Sequence, residues 1–175
     1  MPSSFAVGVM AKAPVPGQAK TRLIPALGAQ GAASFQRELT LRALQTAAAA
    51  APGAVTLFTA GDPSHPLWRH CHDRFGVTVV TQYGAHLGER MQHALQALLR
   101  THDRAALIDT DCPILEARHL AELQTALDVA RMAFIPAEDG GYVAIAAREL
   151  PAVAFGELEW GTAAVMRQTR EALTG

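Results

Sequence analysis

Apolar runs alternate with longer amphipathic stretches along the whole chain. The runs predict six β-strands, at 5–11, 54–60, 77–81, 105–108, 130–135 and 142–147. The longer stretches predict five helices, at 30–51, 63–75, 87–100, 115–127 and 161–173. The first run is apolar at every position, which is typical of a strand buried on both faces of a parallel sheet.

The apolar positions within the helices predict which sides are buried. In helix 30–51 we expect Phe35, Leu39 and Leu44 on the buried side. Helix 87–100 carries an apolar stripe that includes Met91 and Leu95.

The order of these elements predicts the fold class. Strands that alternate with helices indicate right-handed βαβ units, hence a mostly parallel sheet in a three-layer α/β/α arrangement. Only the loop 136–141 separates the last two strands. A parallel crossover needs a dozen or more residues, so one of these strands is antiparallel or the two are not adjacent. The length of 175 residues predicts a single domain over 1–175.

The composition excludes several classes of protein. The net charge of −1 provides no overall basic field for nucleic acid or a membrane surface. No stretch reaches the roughly 18 apolar residues of a membrane span, and no basic segment precedes the first run as in a signal peptide. Two cysteines make no disulfide framework. We expect a cytoplasmic protein without a nucleic-acid partner, and the pattern does not indicate its oligomeric state.

The loop after the first strand concentrates positive charge. Of 15 basic residues only Lys12 and Lys20 are lysines, and both lie in this loop with Arg22. Ligands of open α/β sheets bind beyond the carboxyl ends of the strands, and these side chains suit phosphate. Gly17 allows close approach of the backbone. The loop therefore predicts a phosphate site, although it matches neither the P-loop nor the dinucleotide pattern. The alternative is an arginine-rich composition that merely spared two lysines.

The fourth strand ends in a pair of acidic residues, Asp109 and Asp111. Two carboxylates one residue apart suit Mg²⁺ or Mn²⁺, which prefer oxygen ligands and neutralise a diphosphate. The alternative is an ordinary helix cap or Asx turn.

A second acidic group, Glu138 and Asp139, lies in the loop between the last two strands, beside two glycines. We expect it to complete the metal site or to act as a base. The alternative is an ordinary Asp-Gly-Gly turn. Arg90, in the first turn of helix 87–100, is a further candidate for phosphate or base contact, with a solvated side chain as the alternative.

Five sequence blocks together resemble a known family. They are KAPVPGQAKTRL at 12–23, LGERM at 87–91, DTDCP at 109–113, PAEDGGY at 136–142 and W-G-T at 160–162. On these blocks the chain resembles a bacterial family of uncharacterised GT-A-type glycosyltransferase-like proteins, some of them assigned to arsenosugar biosynthesis. The family is related to the molybdopterin and phospholactate guanylyltransferases. The resemblance covers nearly the whole chain.

The resemblance implies a nucleotide-diphospho-sugar transferase fold, which is Rossmann-like, and roles for individual residues. Nucleotide phosphates would be bound by Lys12, Gly17, Lys20 and Arg22. Asp111 would be the main metal ligand, and Asp139 a second acidic ligand or the base that activates the acceptor. Trp160 and Thr162 would line the acceptor side, with a core-packing role as the alternative for Trp160.

Three departures from the family pattern stand out. His86 occupies the position where the family has Asp, and Tyr142-Val143 has one aromatic residue where the family has two. Family members also continue beyond the W-x-T helix, whereas this sequence ends at Gly175. A missing terminal piece would leave the acceptor site open or the protein inactive.

Three hypotheses for function follow from the sequence. The first is a metal-dependent glycosyltransferase that uses a nucleoside-diphosphate sugar and a small-molecule acceptor. The second is a nucleotidyltransferase that releases pyrophosphate from an NTP. The third, of another class, is a non-catalytic nucleotide-binding domain. Both kinds of transfer require a site that stabilises charge on a diphosphate.

Overall fold

A six-stranded mixed sheet forms the centre of the computed structural model, which describes residues 4–174. The strands are β1 (Phe5–Lys12), β2 (Val55–Ala60), β3 (Thr78–Thr81), β4 (Arg104–Ile108), β5 (Met132–Pro136) and β6 (Tyr142–Ala147). They lie in the order β3-β2-β1-β4-β6-β5. The first four strands in this order pair in parallel, and β6 is antiparallel to both β4 and β5. The prediction of one antiparallel strand is confirmed.

Five helices cover the two faces of the sheet. They are α1 (Ile24–Ala50), α2 (Pro66–Phe75), α3 (Leu87–Leu99), α4 (Ala117–Ala126) and α5 (Val165–Thr174). Side chains of α1, α2 and α4 form the core on one face, and those of α3 form a second core on the other face. This is the expected three-layer α/β/α arrangement. None of the helices in the described part combines the length and apolar composition needed to cross a bilayer.

Strand β1 runs through the middle of the sheet, as its apolar sequence predicts. Val7 and Val9 are fully buried, between the pairings with β2 and β4. Gly8 lies against two large side chains, because a Cβ atom there would be 2.4 Å from Leu107 and 2.8 Å from Phe58. The close packing holds the carboxyl ends of β1 and β4 side by side.

Helix α1 differs from its prediction in extent and in phase. It begins at Ile24, with Pro25 in its first turn, and Gly28 kinks it with a φ of 70°. The expectation that Phe35 is buried is wrong, because this side chain is 42% exposed. Gln36 faces the core instead, where it finds polar partners. Leu39 and Leu44 are buried as expected.

The last helix was predicted to begin at residue 161 and begins at Val165. The residues before it form turns in which the Thr162 hydroxyl accepts a hydrogen bond from the Ala164 backbone N–H at 3.2 Å. Such a contact ends the turn and starts the helix. The displaced start leaves Trp160 and Thr162 on a loop beside the sheet edge.

Candidate active site

Asp109 lies at the carboxyl end of β4, in the wall between two cavities. The cationic cavity has a volume of about 330 Å³, and Lys12, Lys20, Arg90 and Asp111 line it together with Asp109. The apolar cavity, of about 300 Å³, is lined by Met10, Leu87, Met91, Tyr142 and Trp160, and also by Asp109 and Asp139. The position follows the rule that open α/β sheets bind ligands beyond their strand ends.

The loop after β1 presents its two lysines to the cationic cavity. The Lys12 ammonium donates to the Gln18 carbonyl oxygen at 2.9 Å, which steadies the loop. Lys20 has a φ of 49°, the one positive value at a non-glycine residue within 4–174. This unusual backbone turns the Lys20 ammonium into an ion pair with Asp111.

Two residues proposed for phosphate binding lie away from this cavity wall. Gly17 has a φ of 82° and open space around its Cα, so it shapes the loop. Arg22 is exposed on the short 3₁₀ turn Thr21–Leu23. Arg90 does line the cationic cavity, and its Nε donates to the Gly84 carbonyl oxygen at 3.0 Å.

The carboxyl group of Asp109 has an unusual environment. Its Oδ1 accepts a hydrogen bond from the Asp111 backbone N–H at 2.8 Å, so the Asx-turn reading is also correct. The side chain remains accessible from the cleft, yet surrounding protein atoms desolvate it and raise its pKa to about 6. Repulsion from Asp111 and Asp139 acts in the same direction.

These carboxylates fit part of a divalent metal site. Residues 4–174 contain no cluster of three or more His, Cys, Asp or Glu side chains arranged around a metal position. Mg²⁺ commonly takes only one or two carboxylates and completes its shell with substrate phosphates and water. Asp109 and Asp111, which both line the cationic cavity, match that donor set.

The acidic turn, residues 136–141, is held against the segment before α5. Gly140 has a φ of 88°, and a Cβ there would lie 2.1 Å from the Ala163 carbonyl oxygen. The Gly140 carbonyl accepts a hydrogen bond from the Met166 N–H at 2.9 Å. Both carboxylates are exposed and line an outer groove between residues 111–115 and 135–139. Of the two, Asp139 also lines the apolar cavity. The turn therefore aims one of its two carboxylates at the cavity.

Trp160 and Thr162 both line the apolar cavity, as the acceptor-side expectation requires. Trp160 also packs as a core residue. Its ring lies 6.4 Å from that of Phe155 in a stacked arrangement, and a Cβ on Gly88 would be 2.4 Å from its indole. The two readings of this residue are compatible, because the ring packs against Phe155 and Gly88 while the side chain also lines the cavity.

Comparison with known proteins places this architecture in a family. Residues 43–162 match the family described as "Uncharacterized protein conserved in bacteria (DUF2064)". The chain belongs to this family. The matched segment includes both acidic groups and starts after the cationic loop. No curated protein shows a significant match to the sequence of this DUF2064 member.

Solved structures share the fold. A "putative nucleotide-diphospho-sugar transferase" from Desulfovibrio desulfuricans G20 is 29% identical with a TM-score of 0.83, covering 98% of this chain and 76% of that chain. A cytidylyltransferase from Leptospira borgpetersenii is 13% identical with a TM-score of 0.54, covering 83% and 61%. The 4-diphosphocytidyl-2C-methyl-D-erythritol synthase from Anaerococcus prevotii is 12% identical with a TM-score of 0.56, covering 95% and 84%. This DUF2064 member therefore has the nucleotide-diphospho-sugar transferase fold.

Two residues that position the site were missed from the sequence. Gln36, only 4% exposed, donates to the Thr110 hydroxyl at 3.2 Å. Thr110 in turn contacts Asp111 Oδ1 at 3.4 Å. A glutamine among the apolar positions of α1 was the available signal, and the assumed phase of the helix concealed it.

The departure at His86 has a structural explanation in this DUF2064 member. His86 is the N-cap of α3, and its Nδ1 accepts from the Glu89 backbone N–H at 3.4 Å. The Glu89 carboxylate in turn accepts a hydrogen bond from the Ala85 backbone N–H at 2.7 Å. Aspartate is a preferred N-cap residue, so histidine here takes over the capping role.

Proposed function

We propose that this DUF2064 member is a metal-dependent transferase that moves a glycosyl group from a nucleoside-diphosphate sugar to a small acceptor. One observation carries the proposal. Asp109 stands in the shared wall of a cavity suited to phosphates and a cavity suited to an organic molecule. A two-substrate transferase needs such a boundary, because the bond exchanged between the substrates must lie there.

The cationic cavity would hold the diphosphate of the donor. Lys12, Lys20 and Arg90 supply the positive charge, and Asp111 with Asp109 would hold Mg²⁺ or Mn²⁺. The cation, when bound, stabilises negative charge on the leaving diphosphate. Lys20 would exchange its contact with Asp111 for a phosphate oxygen, since both partners of that ion pair are needed by the incoming ligand.

The acceptor reacts at the border of the apolar cavity. Its hydroxyl oxygen would form a bond to the anomeric carbon while the bond from that carbon to the diphosphate oxygen breaks. The diphosphate leaves with the electron pair and is held by the lysines. The hydroxyl proton passes to Asp139, which lines this cavity, whereas Glu138 does not.

The comparisons support the transferase class. The 29% identical neighbour carries the name of a nucleotide-diphospho-sugar transferase, and the cytidylyltransferases share the fold alone. A nucleotidyltransferase would use the same cations while a substrate phosphate attacks the α-phosphate of an NTP. The chemical products separate these two activities.

The first test is a product assay. The protein is incubated with Mn²⁺ and either a panel of NDP-sugars with small alcohols as acceptors or a panel of NTPs with small phosphate esters as acceptors. We expect free NDP from an NDP-sugar and no pyrophosphate from an NTP. Pyrophosphate release would assign nucleotidyl transfer instead. Nucleotide binding without metal dependence or turnover would assign a non-catalytic binding domain.

The second test concerns the residues of the donor site. Lys20→Ala and Asp111→Ala should each weaken binding of metal-nucleotide by about 10- to 100-fold, as expected for a lost charge-assisted contact. Titration calorimetry gives the affinity, and circular dichroism checks the fold. Arg22→Ala is the matched control, because this exposed cation lies on the same loop outside the cavity wall. Unchanged affinity in the first two variants would reject the assignment.

A further inference from the structure

The apolar cavity is walled mainly by hydrocarbon. Its floor and sides are formed by Met10, Leu87, Met91, Leu107, Val143 and Ile145. The volume is about 300 Å³. A cavity of roughly 150 Å³ lined by Leu, Ile and Phe binds benzene, so this one has room for a substituted ring. A hydrocarbon wall of this kind favours an apolar ligand body.

The charged groups indicate which substrate enters this cavity. Asp139 lines the apolar cavity and does not line the cationic one. The lysines line the cationic cavity and do not line the apolar one. The group that receives the hydroxyl proton thus faces the apolar cavity, and the groups that bind the diphosphate face the other. The acceptor therefore belongs in the apolar cavity.

From this lining we infer that the acceptor is a small, largely apolar alcohol or phenol with one ring. The inference rests on the proposed function. The reacting hydroxyl lies at Asp139 and Asp109, and the ring lies against the methionines and leucines. A free sugar does not fit, because its many hydroxyls would face hydrocarbon without partners.

Two probes of equal size test the inference. Phenoxyethanol has a ring, an ether oxygen and a hydroxyl, and xylitol has the same number of non-hydrogen atoms and five hydroxyls. Both are titrated into the ¹⁵N-labelled protein without nucleotide or metal. We expect phenoxyethanol to shift the indole N–H signal of Trp160, whose side chain lines the cavity, but not that of Trp68, which lies outside it. Xylitol should shift neither. Binding of xylitol, or no binding of phenoxyethanol, overturns the inference.

Turnover separates failure of this inference from failure of the proposed function. With an NDP-sugar and Mn²⁺, phenoxyethanol should accelerate NDP release and become glycosylated, as seen by mass spectrometry. NDP release accelerated by polyols alone would keep the proposed function and overturn the acceptor class. Binding of phenoxyethanol at Trp160 with no nucleotide binding would reject the proposed function and keep the ligand class of the cavity.

Discussion

The pKa of the Asp109 carboxyl group is set by opposing local interactions. Desolvation and two neighbouring carboxylates oppose ionisation, while the Asp111 N–H and the Lys20 ammonium favour it. The opposing influences are larger, so the pKa is raised to about 6. The charged form is therefore disfavoured in the folded protein, and a neighbouring cation would lower this pKa again.

Replacing Asp109 with Asn should stabilise the protein in a pH-dependent way. The folded-state pKa lies above the ordinary value of 3.8, so the folded protein binds more protons than the unfolded chain between the two values. The free energy of unfolding of wild type therefore falls as the pH rises from about 4 to about 6 and is level above that. Asp109→Asn keeps a side-chain oxygen that accepts from the Asp111 N–H. Because asparagine does not ionise, the variant does not lose stability at this position as the pH rises.

Thermal melts of both proteins measure this effect. The gain in Tm from Asp109→Asn should be clear at about pH 7.5 and small at about pH 4. A gain of the same size at both pH values would contradict the assigned cause, since it would not come from ionisation.

The two cysteines should differ in reactivity. Cys71 is fully buried in the core, and burial raises the pKa of its thiol to about 11, whereas Cys112 is half-buried. The thiolate is the reactive form, so an aromatic disulfide reagent at neutral pH should label one thiol quickly and the second only on unfolding. Cys112→Ser should remove the fast phase, and Cys71→Ala should retain it. Fast labelling of Cys112→Ser would show that the α2 core opens.

At the scale of elements, the site depends on how the acidic turn meets α5. The turn joins two antiparallel neighbours, β5 and β6, and its backbone contacts the segment just before α5. The Met166 N–H, in the first turn of α5, donates to the turn at Gly140. The turn is thus fixed to the start of α5, and within the turn the Gly141 N–H donates to Asp139 Oδ1 at 3.0 Å, which orients that side chain.

A pair of glycine substitutions tests this contact. Gly140→Ala introduces a Cβ that would lie 2.1 Å from backbone and also places alanine at a φ of 88°. Gly53→Ala has a similar φ of 74° with open space around it, so it carries only the conformational cost of about 1–2 kcal/mol. We expect a clearly larger loss for Gly140→Ala, on the order of 3 kcal/mol, by urea denaturation. Equal losses would mean that the turn moves freely away from α5.

At the scale of the whole molecule, stability is concentrated in the middle of the sheet. β1 and β4 are covered by helices on both faces and have a paired strand on each side. β3 is a four-residue edge strand whose residues are mostly exposed. The candidate site extends from the central strands, so its carboxylates from β4 stand on the most rigid part of the fold.

Hydrogen exchange should follow this arrangement. Amides of Val7, Val9 and Leu107 should exchange slowest, by global unfolding, and those of Val80 and Thr81 several orders of magnitude faster through local opening. The measurement is native-state exchange by NMR or mass spectrometry. Protection of β3 equal to that of β1 would indicate that another surface covers this edge.

Local pattern was sufficient for the elements and for the loops that carry chemistry. The apolar run of β1, the cationic loop after it and the carboxylates after β4 are contiguous segments, and a parallel sheet brings its strand ends to one edge. The short loop 136–141 excluded parallel neighbours, since chain length limits where the next strand can go, and left either an antiparallel strand or two strands that are not adjacent. None of these conclusions needed a contact between distant residues.

Other features depend on contacts between residues far apart in the chain, and only the tertiary structure determines them. Whether Phe35 or Gln36 faced inward was set by Thr110, because a buried amide requires a polar partner. Trp160 became both core and cavity wall because Gly88 leaves space for its ring. The division into a cationic and an apolar cavity follows from the position of β6 between β4 and β5, which places Tyr142 and Asp139 beside Asp109. Sequence periodicity reports which side of an element is buried, and only packing determines what that side meets.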